Sequence, residues 1–147
     1  MSEDPSAGRF DGKAHLLPIR IYYEDTDFTG LVYHANYLRY FERGRSDYLR
    51  LAGIDHTLLL QGESPTAFTI TRIALDFVKP ARIDDALTIR TVYEAVEGAR
   101  MLISQTALRG GEELARAEVA AVCISMEGRA KRPPAVLLEK LRPLLIR

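Results

Sequence analysis

The hydrophobic positions of this chain change period along its length, and each change predicts an element. Pro18 to Tyr23 alternates apolar with polar side chains and is rich in β-branched and aromatic residues, which predicts a short strand. From Asn36 the period lengthens. Leu38, Phe41, Arg45, Tyr48 and Ala52 recur every three or four residues, with Tyr37, Leu49 and Leu51 beside them. Asn36 suits the cap of such a helix and Gly53 suits its closing residue, so the pattern predicts about four to five turns. Glu42, Arg43, Asp47 and Arg50 fall on its wetter side. A short link that could be helical, Ile54 to Gly62, follows. Thr66–Val78, Ala86–Val96, Arg100–Leu108 and Glu113–Met126 are then strand-like. Lys79-Pro80 with Asp84-Asp85, Glu97-Gly98 and Gly110-Gly111 separate them, and the double glycine predicts a tight hairpin. Pro133-Pro134 opens an amphipathic tail, Val136 to Leu145.

Strands that follow one another without intervening helices pair antiparallel, so the layout predicts an α+β fold: a five-stranded antiparallel meander wrapped around one long helix. Such a sheet keeps open edges and a shallow core, and pairing between copies of the chain in a homo-oligomer would cover both. Residues 1–16 are polar, with Pro5, Gly8 and Gly12, and read as a flexible N-terminal tail, neither a signal peptide nor an anchor. Residues 17–147 read as a single domain.

Composition narrows the function classes. Twenty basic and twenty acidic residues among 147 give a formal charge of zero, so nothing global points to nucleic acid or an anionic membrane surface. No apolar run is long enough to span a membrane, and the default location is the cytoplasm. Cys123 is the only cysteine, which leaves neither a disulfide framework nor a cysteine metal cluster, and its apolar neighbours suggest a small buried hydrophobe.

The chemistry concentrates between the first strand and the helix, in Glu24-Asp-Thr-Asp-Phe-Thr-Gly-Leu-Val-Tyr-His-Ala-Asn-Tyr37. Asp25-Thr-Asp-Phe-Thr29 after a strand has the D-x-D-x-T spacing of haloacid-dehalogenase-like, Mg²⁺-dependent phosphatases, in which one carboxylate attacks phosphorus. That family needs a doubly wound parallel sheet. Asp25, Asp27, Thr29 and Gly30 also fit a calcium loop, but the closing position is Asn36 in place of glutamate and a strand precedes the loop. Both acids could instead simply cap turns. The remaining reading makes Asp27 the acid of a carbonyl-directed hydrolase. Gly30 would then permit close backbone approach, and the peptide N–H groups near His34 and Ala35 would form an oxyanion site at a helix start.

Tyr22-Tyr-Glu-Asp-Thr-Asp27, Gly30, Val32-Tyr-His-Ala-Asn-Tyr-Leu38 and Phe41-Glu-Arg43 closely resemble the hotdog-fold acyl-CoA thioesterases of the 4-hydroxybenzoyl-CoA thioesterase type, in their Tol-Pal-associated branch. The likeness continues through Lys79-Pro-Ala-Arg-Ile-Asp-Asp85, Ala117-Glu-Val119 and Lys131-Arg-Pro133, covering roughly Ile19 to Leu144. It implies a hotdog fold, a homodimer or homotetramer with sites at subunit interfaces, and hydrolysis of acyl-CoA to free acid and coenzyme A. Coenzyme A enters as part of the substrate, with no separate cofactor and no metal. In that pattern Asp27 matches the catalytic carboxylate, as nucleophile or general base, and His34 matches the second functional position. Tyr23 matches a position implicated in some members, and Asn36 supports the loop by capping. Lys79, Arg82, Arg100, Lys131 and Arg132 are positional candidates for the coenzyme's phosphates. The sequence departs from the pattern at Phe28-Thr29, where small or polar residues are usual, which bears on the acyl group accepted. A catalytically silent hotdog module that binds acyl-CoA or acyl-carrier protein is the rival reading, and a cell-envelope partner is a further expectation from the branch.

Overall fold

The computed structural model describes residues 3–5, 7–62 and 64–147. Six strands form one antiparallel sheet: β1 (Arg9–Asp11), β2 (Ala14–Arg20), β3 (Ala67–Phe77), β4 (Ala86–Glu97), β5 (Arg100–Arg109) and β6 (Glu112–Ile124). Their order across the sheet is β1-β2-β4-β5-β6-β3. The helices are α1 (Asn36–Leu51), α2 (His56–Gln61) and α3 (Ala135–Leu141). This is the expected α+β hotdog arrangement, with one strand more than the five expected.

The extra strand corrects the expected tail. β1 and β2 pair through Arg9↔Leu16, Phe10↔His15 and Asp11↔Ala14 around a Gly12-Lys13 turn in which Gly12 takes φ +62°. Polar composition suggested disorder here, but Phe10 stacks edge-on against His15 and Tyr48, with ring centroids 5.5 and 5.0 Å away. His15 is fully buried and meets the Asp47 carboxylate at 2.7 Å, and the Gly8 N–H donates to the same oxygen at 2.8 Å. Arg50 binds the other oxygen. Asp47 therefore does not lie on the wet side of the helix as its spacing suggested. It is 4% exposed and ties the N-terminal hairpin to α1.

The meander is also interrupted. β4, β5 and β6 are successive hairpins, turning at Gly98 (φ +62°) and Gly110 (φ +61°). β3 does not neighbour β4 but crosses to the far edge and pairs only with β6. The chain needs 79–85 to make that crossing, and the same segment props the loop described below.

α1 lies across the concave face. Its buried side is Tyr37, Tyr40, Phe41, Gly44, Arg45, Asp47, Tyr48 and Leu49, which keeps Phe41, Arg45 and Tyr48 of the stripe read from sequence but not Leu38, 43% exposed. Gly44 sets the depth of contact: a Cβ there would stand 2.8 Å from Thr91 Oγ1 and 2.9 Å from Ile89 Cγ2. The helix closes as expected. Gly53 takes φ +85°, its N–H reaches the Arg50 carbonyl (3.0 Å) and the Ile54 N–H reaches Leu49 (2.8 Å), which satisfies the last carbonyls. Cys123 is buried, and burial pushes its thiol up to about 11, so it packs as a hydrophobe.

Candidate active site

After β2 the chain makes a single 3-10 turn, Tyr23–Asp25, in which the Asp25 carboxylate accepts from the Tyr22 N–H at 2.8 Å. Asp25 is thus spent on the turn. The chain then folds back on itself as a miniature hairpin. Tyr33 N–H donates to Asp25 O (3.0 Å), Asp27 N–H to Leu31 O (3.0 Å) and Gly30 N–H to Asp27 O (3.1 Å). A type I-like turn followed by a left-handed residue needs glycine at its end, and Gly30 takes φ +82°. Asp27 and Phe28 occupy the tip, and Phe28 is fully exposed in the single chain.

One carboxylate oxygen of Asp27 accepts from the Thr29 hydroxyl and, at 2.8 Å, from the Thr29 N–H. The hydroxyl contact first and the N–H second hold the carboxyl below its ordinary value. Asp27 is therefore a carboxylate at neutral pH, suited to attack or to take a proton from water rather than to donate one. The turn-capping role considered from sequence is present, but it uses one oxygen and leaves the other open.

The helix begins immediately after the hairpin's return strand. Asn36, Tyr37 and Leu38 donate their N–H groups to Tyr33, His34 and Ala35 carbonyls at 2.9, 3.3 and 3.2 Å. The N–H groups of His34 and Ala35 have no partner among the described residues. No side chain caps the start of α1 and no acid lies in its first turn, so these two donors keep the positive end of the helix dipole unneutralised. Asn36 supports the loop otherwise than expected. It is the first helical residue, Ala35 is the cap, and the Asn36 amide donates to the Asp25 carbonyl at 2.7 Å.

A model of the thioesterase-like superfamily matches residues 22–141. The chain belongs to the thioesterase-like superfamily. A Haemophilus influenzae protein named acyl-CoA thioesterase YbgC is 40% identical over 110 residues, 75% of this chain and 80% of that one. The Escherichia coli acyl-CoA thioester hydrolase YbgC is 35% identical over 108 residues, 73% of this chain and 79% of that one. A crystal structure of a probable thioesterase from Bartonella henselae superimposes with a TM-score of 0.79 at 41% identity, covering 82% of this chain and 99% of that one.

Within this thioesterase-like frame the other sequence candidates separate. His34 is exposed and packs against Tyr33 (centroids 4.7 Å) and Phe77 (6.2 Å) beside a hollow of about 300 Å³ between the loop and the end of β3. The Tyr23 side chain is 81% exposed and makes no hydrogen bond to Asp27. Lys79 lines the hollow and pairs with Glu112 at 2.7 Å, while Arg82 bridges to Leu31 through the backbone. Arg100, Lys131 and Arg132 lie at the other end of the sheet. Arg100 opens β5, and Lys131 follows β6, where it binds the Ser64 carbonyl and hydroxyl at 3.0 and 2.6 Å. β5 separates the two ends by ten residues, or about 30 Å.

Sequence reading missed the residue that holds the loop's prop. Arg109 donates to Asp85 at 2.8 Å, to the Pro80 carbonyl at 3.3 Å and to Glu112 at 2.8 Å. The propped segment then accepts the Val32 N–H at the Ala81 carbonyl, 2.9 Å away. Burial raises the Asp85 carboxyl, but the Arg82 N–H and the Arg109 guanidinium outweigh it and leave it below its ordinary value. The available signal was Asp85 and Glu112, acids at two strand starts that bracket one arginine.

Proposed function

We propose that the protein hydrolyses acyl-CoA thioesters to free acid and coenzyme A, with Asp27 as nucleophile or general base. The observation that carries this reading is the pair of N–H groups at His34 and Ala35 without partners among the described residues, at the start of a sixteen-residue helix whose preceding loop carries a carboxylate with one open oxygen. Such donors stabilise the oxyanion formed when a thioester carbonyl is attacked, and removing one typically costs about 10²–10³ in rate. The thiolate leaves readily, so a carboxylate and an oxyanion site suffice. The acyl-CoA class comes from the named activities of the relatives. The antiparallel sheet removes the fold that a D-x-D-x-T phosphatase requires.

Incubation with a panel of acyl-CoAs and a thiol-reactive dye tests the reading. Release of coenzyme A that falls by about 10² or more in Asp27→Asn, with the fold intact, supports it. Unchanged turnover in Asp27→Asn removes that role, and binding without turnover favours the silent module.

The working unit is a homo-oligomer on the same reading. β3 is an eleven-residue edge strand whose outer side is unpaired, with Ile70, Phe77 and Val78 exposed by 39–52%. A long edge with exposed apolar side chains invites pairing with a second copy. Light scattering on wild type and Ile70→Lys checks it: a dimer or larger assembly should give way to monomer.

A further inference from the structure

A second concavity lies along α1. Between the outer flank of α1, α2 and the start of β3 is a cavity of about 310 Å³, lined by apolar side chains that include Leu49, Leu59, Phe68 and Ile103. In its wall is Arg45, only 9% exposed. Its Nη1 donates to Gln105 Oε1 at 2.8 Å, and Gln105 is itself fixed by donating to the Phe41 carbonyl (2.7 Å) and Thr91 Oγ1 (2.9 Å). No carboxylate among the described residues lies within ion-pair distance of Arg45. Glu42, one turn earlier, receives the Ser46 hydroxyl at 3.1 Å instead.

A buried guanidinium hydrogen-bonded to one neutral amide is costly, because water is lost and no carboxylate among the described residues closes on it. Burial pulls Arg45 below its ordinary value against the smaller opposing pull of Tyr93 and Glu42. Its fork offers five N–H donors matched to a carboxylate, and one nitrogen is committed to Gln105.

The cavity extends along the helix toward its N-terminal end. A shallower hollow formed by Leu38, Arg39, Glu42, Arg43 and Arg45 shares Glu42 and Arg45 with it and begins one turn into α1. Around this groove three arginines face one glutamate. Gln105 ties the guanidinium to the level of Phe41, six residues beyond Ala35, which is roughly 9 Å along the axis. That distance is about the reach of an extended chain of six to eight carbons with bonds near 1.5 Å.

We propose that this groove takes the far end of the acyl group and that Arg45 selects acyl chains ending in a carboxylate over plain alkyl chains. The inference rests on the thioesterase reading and names its substrate class. The matched probes are adipyl-CoA against hexanoyl-CoA, suberyl-CoA against octanoyl-CoA, and the methyl ester of adipyl-CoA as the uncharged near-isostere. Wild type should favour each ω-carboxyl substrate by about tenfold or more in kcat/KM, mainly through KM, and should lose that advantage on the methyl ester. Arg45→Met should erase the preference, while Arg45→Lys should keep part of it. Equal or poorer turnover of the ω-carboxyl substrates by wild type overturns the proposal even if Arg45→Met fails to fold. A preference that survives in a folded Arg45→Met overturns it as well. No turnover of any thioester, charged or plain, overturns the thioesterase reading itself and the proposal with it.

Discussion

Removing the Asp47 carboxylate is the sharpest test of how the N-terminal hairpin is held. Asp47→Ala deletes one acceptor group that serves three donors: the Gly8 N–H at 2.8 Å, His15 Nε2 at 2.7 Å, and Arg50. Arg50 is 65% exposed and regains water, so its loss costs less than about 1 kcal/mol. His15 does not: it is fully buried and its Nδ1 already lacks a partner, so the variant leaves both ring nitrogens unpaired. A buried group stripped of its partner costs about 1–3 kcal/mol, and the hydrogen bond from Gly8 to a charged acceptor is worth about 1.5–3. Relief from burying the carboxylate offsets part of this, and a net loss near 3 kcal/mol follows, the low end for a broken buried pair. At roughly 3–4 °C per kcal/mol for a domain of this size, the melting temperature should drop by about 10 °C. Asp47→Asn keeps one acceptor oxygen and should lose about half as much. Thermal and urea unfolding followed by circular dichroism measure both. A loss below about 1 kcal/mol for Asp47→Ala would refute the account of the hairpin as a fixed part of the domain.

The same cluster predicts a pH response: burial, opposed by Asp47, holds the His15 pKa below 6.5, so the unfolded chain binds its proton first, and wild-type stability should decline as pH falls through 6.5 and level off below the folded value. Thr29→Val removes the larger of the two contacts that depress Asp27, so the acid limb of the kcat/KM profile should move to higher pH, and an unmoved limb means another group titrates. Gly44→Ala should destabilise, because filling space 2.8–2.9 Å from buried side chains costs about 1–3 kcal/mol, more than the ~1 kcal/mol that alanine gains in a helix; urea unfolding reads the sign. Arg109→Met should change stability by less than about 1 kcal/mol yet lower kcat/KM by up to about 10²-fold as the 79–82 prop loosens, and steady-state kinetics beside melting curves separate the two effects.

What could be read in the sequence was what periodicity and turn chemistry write locally. The long helix, its Gly53 stop, the Gly110-Gly111 hairpin and the strand runs all follow from short-range pattern. The features that needed the structure depend on distant pairs. Asp47 sits where a helical wheel puts solvent, and only the hairpin more than thirty residues upstream makes that position interior. β3 carries no mark that says it pairs with β6 rather than β4; the 79–85 crossover decides that. At the site, Asp27, Gly30 and His34 stood out because their residue types are unusual together. Arg109 did not, because an arginine at a strand end is ordinary until its three acceptors are known. Asn36 was legible as a supporting residue but not in its manner, since donation to Asp25 requires the fold-back that brings the two together.

The Asp27 hairpin is framed almost wholly by main-chain bonds, from Asp25–Tyr33 and Asp27–Leu31 to Val32–Ala81. Main-chain bonds make little demand on side-chain identity beyond the glycine that the turn requires. Position 28 can therefore change size or polarity without moving the carboxylate two bonds of chain away, and the fold exerts little restraint on it. On the proposed reading, the carboxylate and the residue beside it carry separate structural obligations. Substitutions at this tip can therefore accumulate without unfolding the loop that carries the carboxylate.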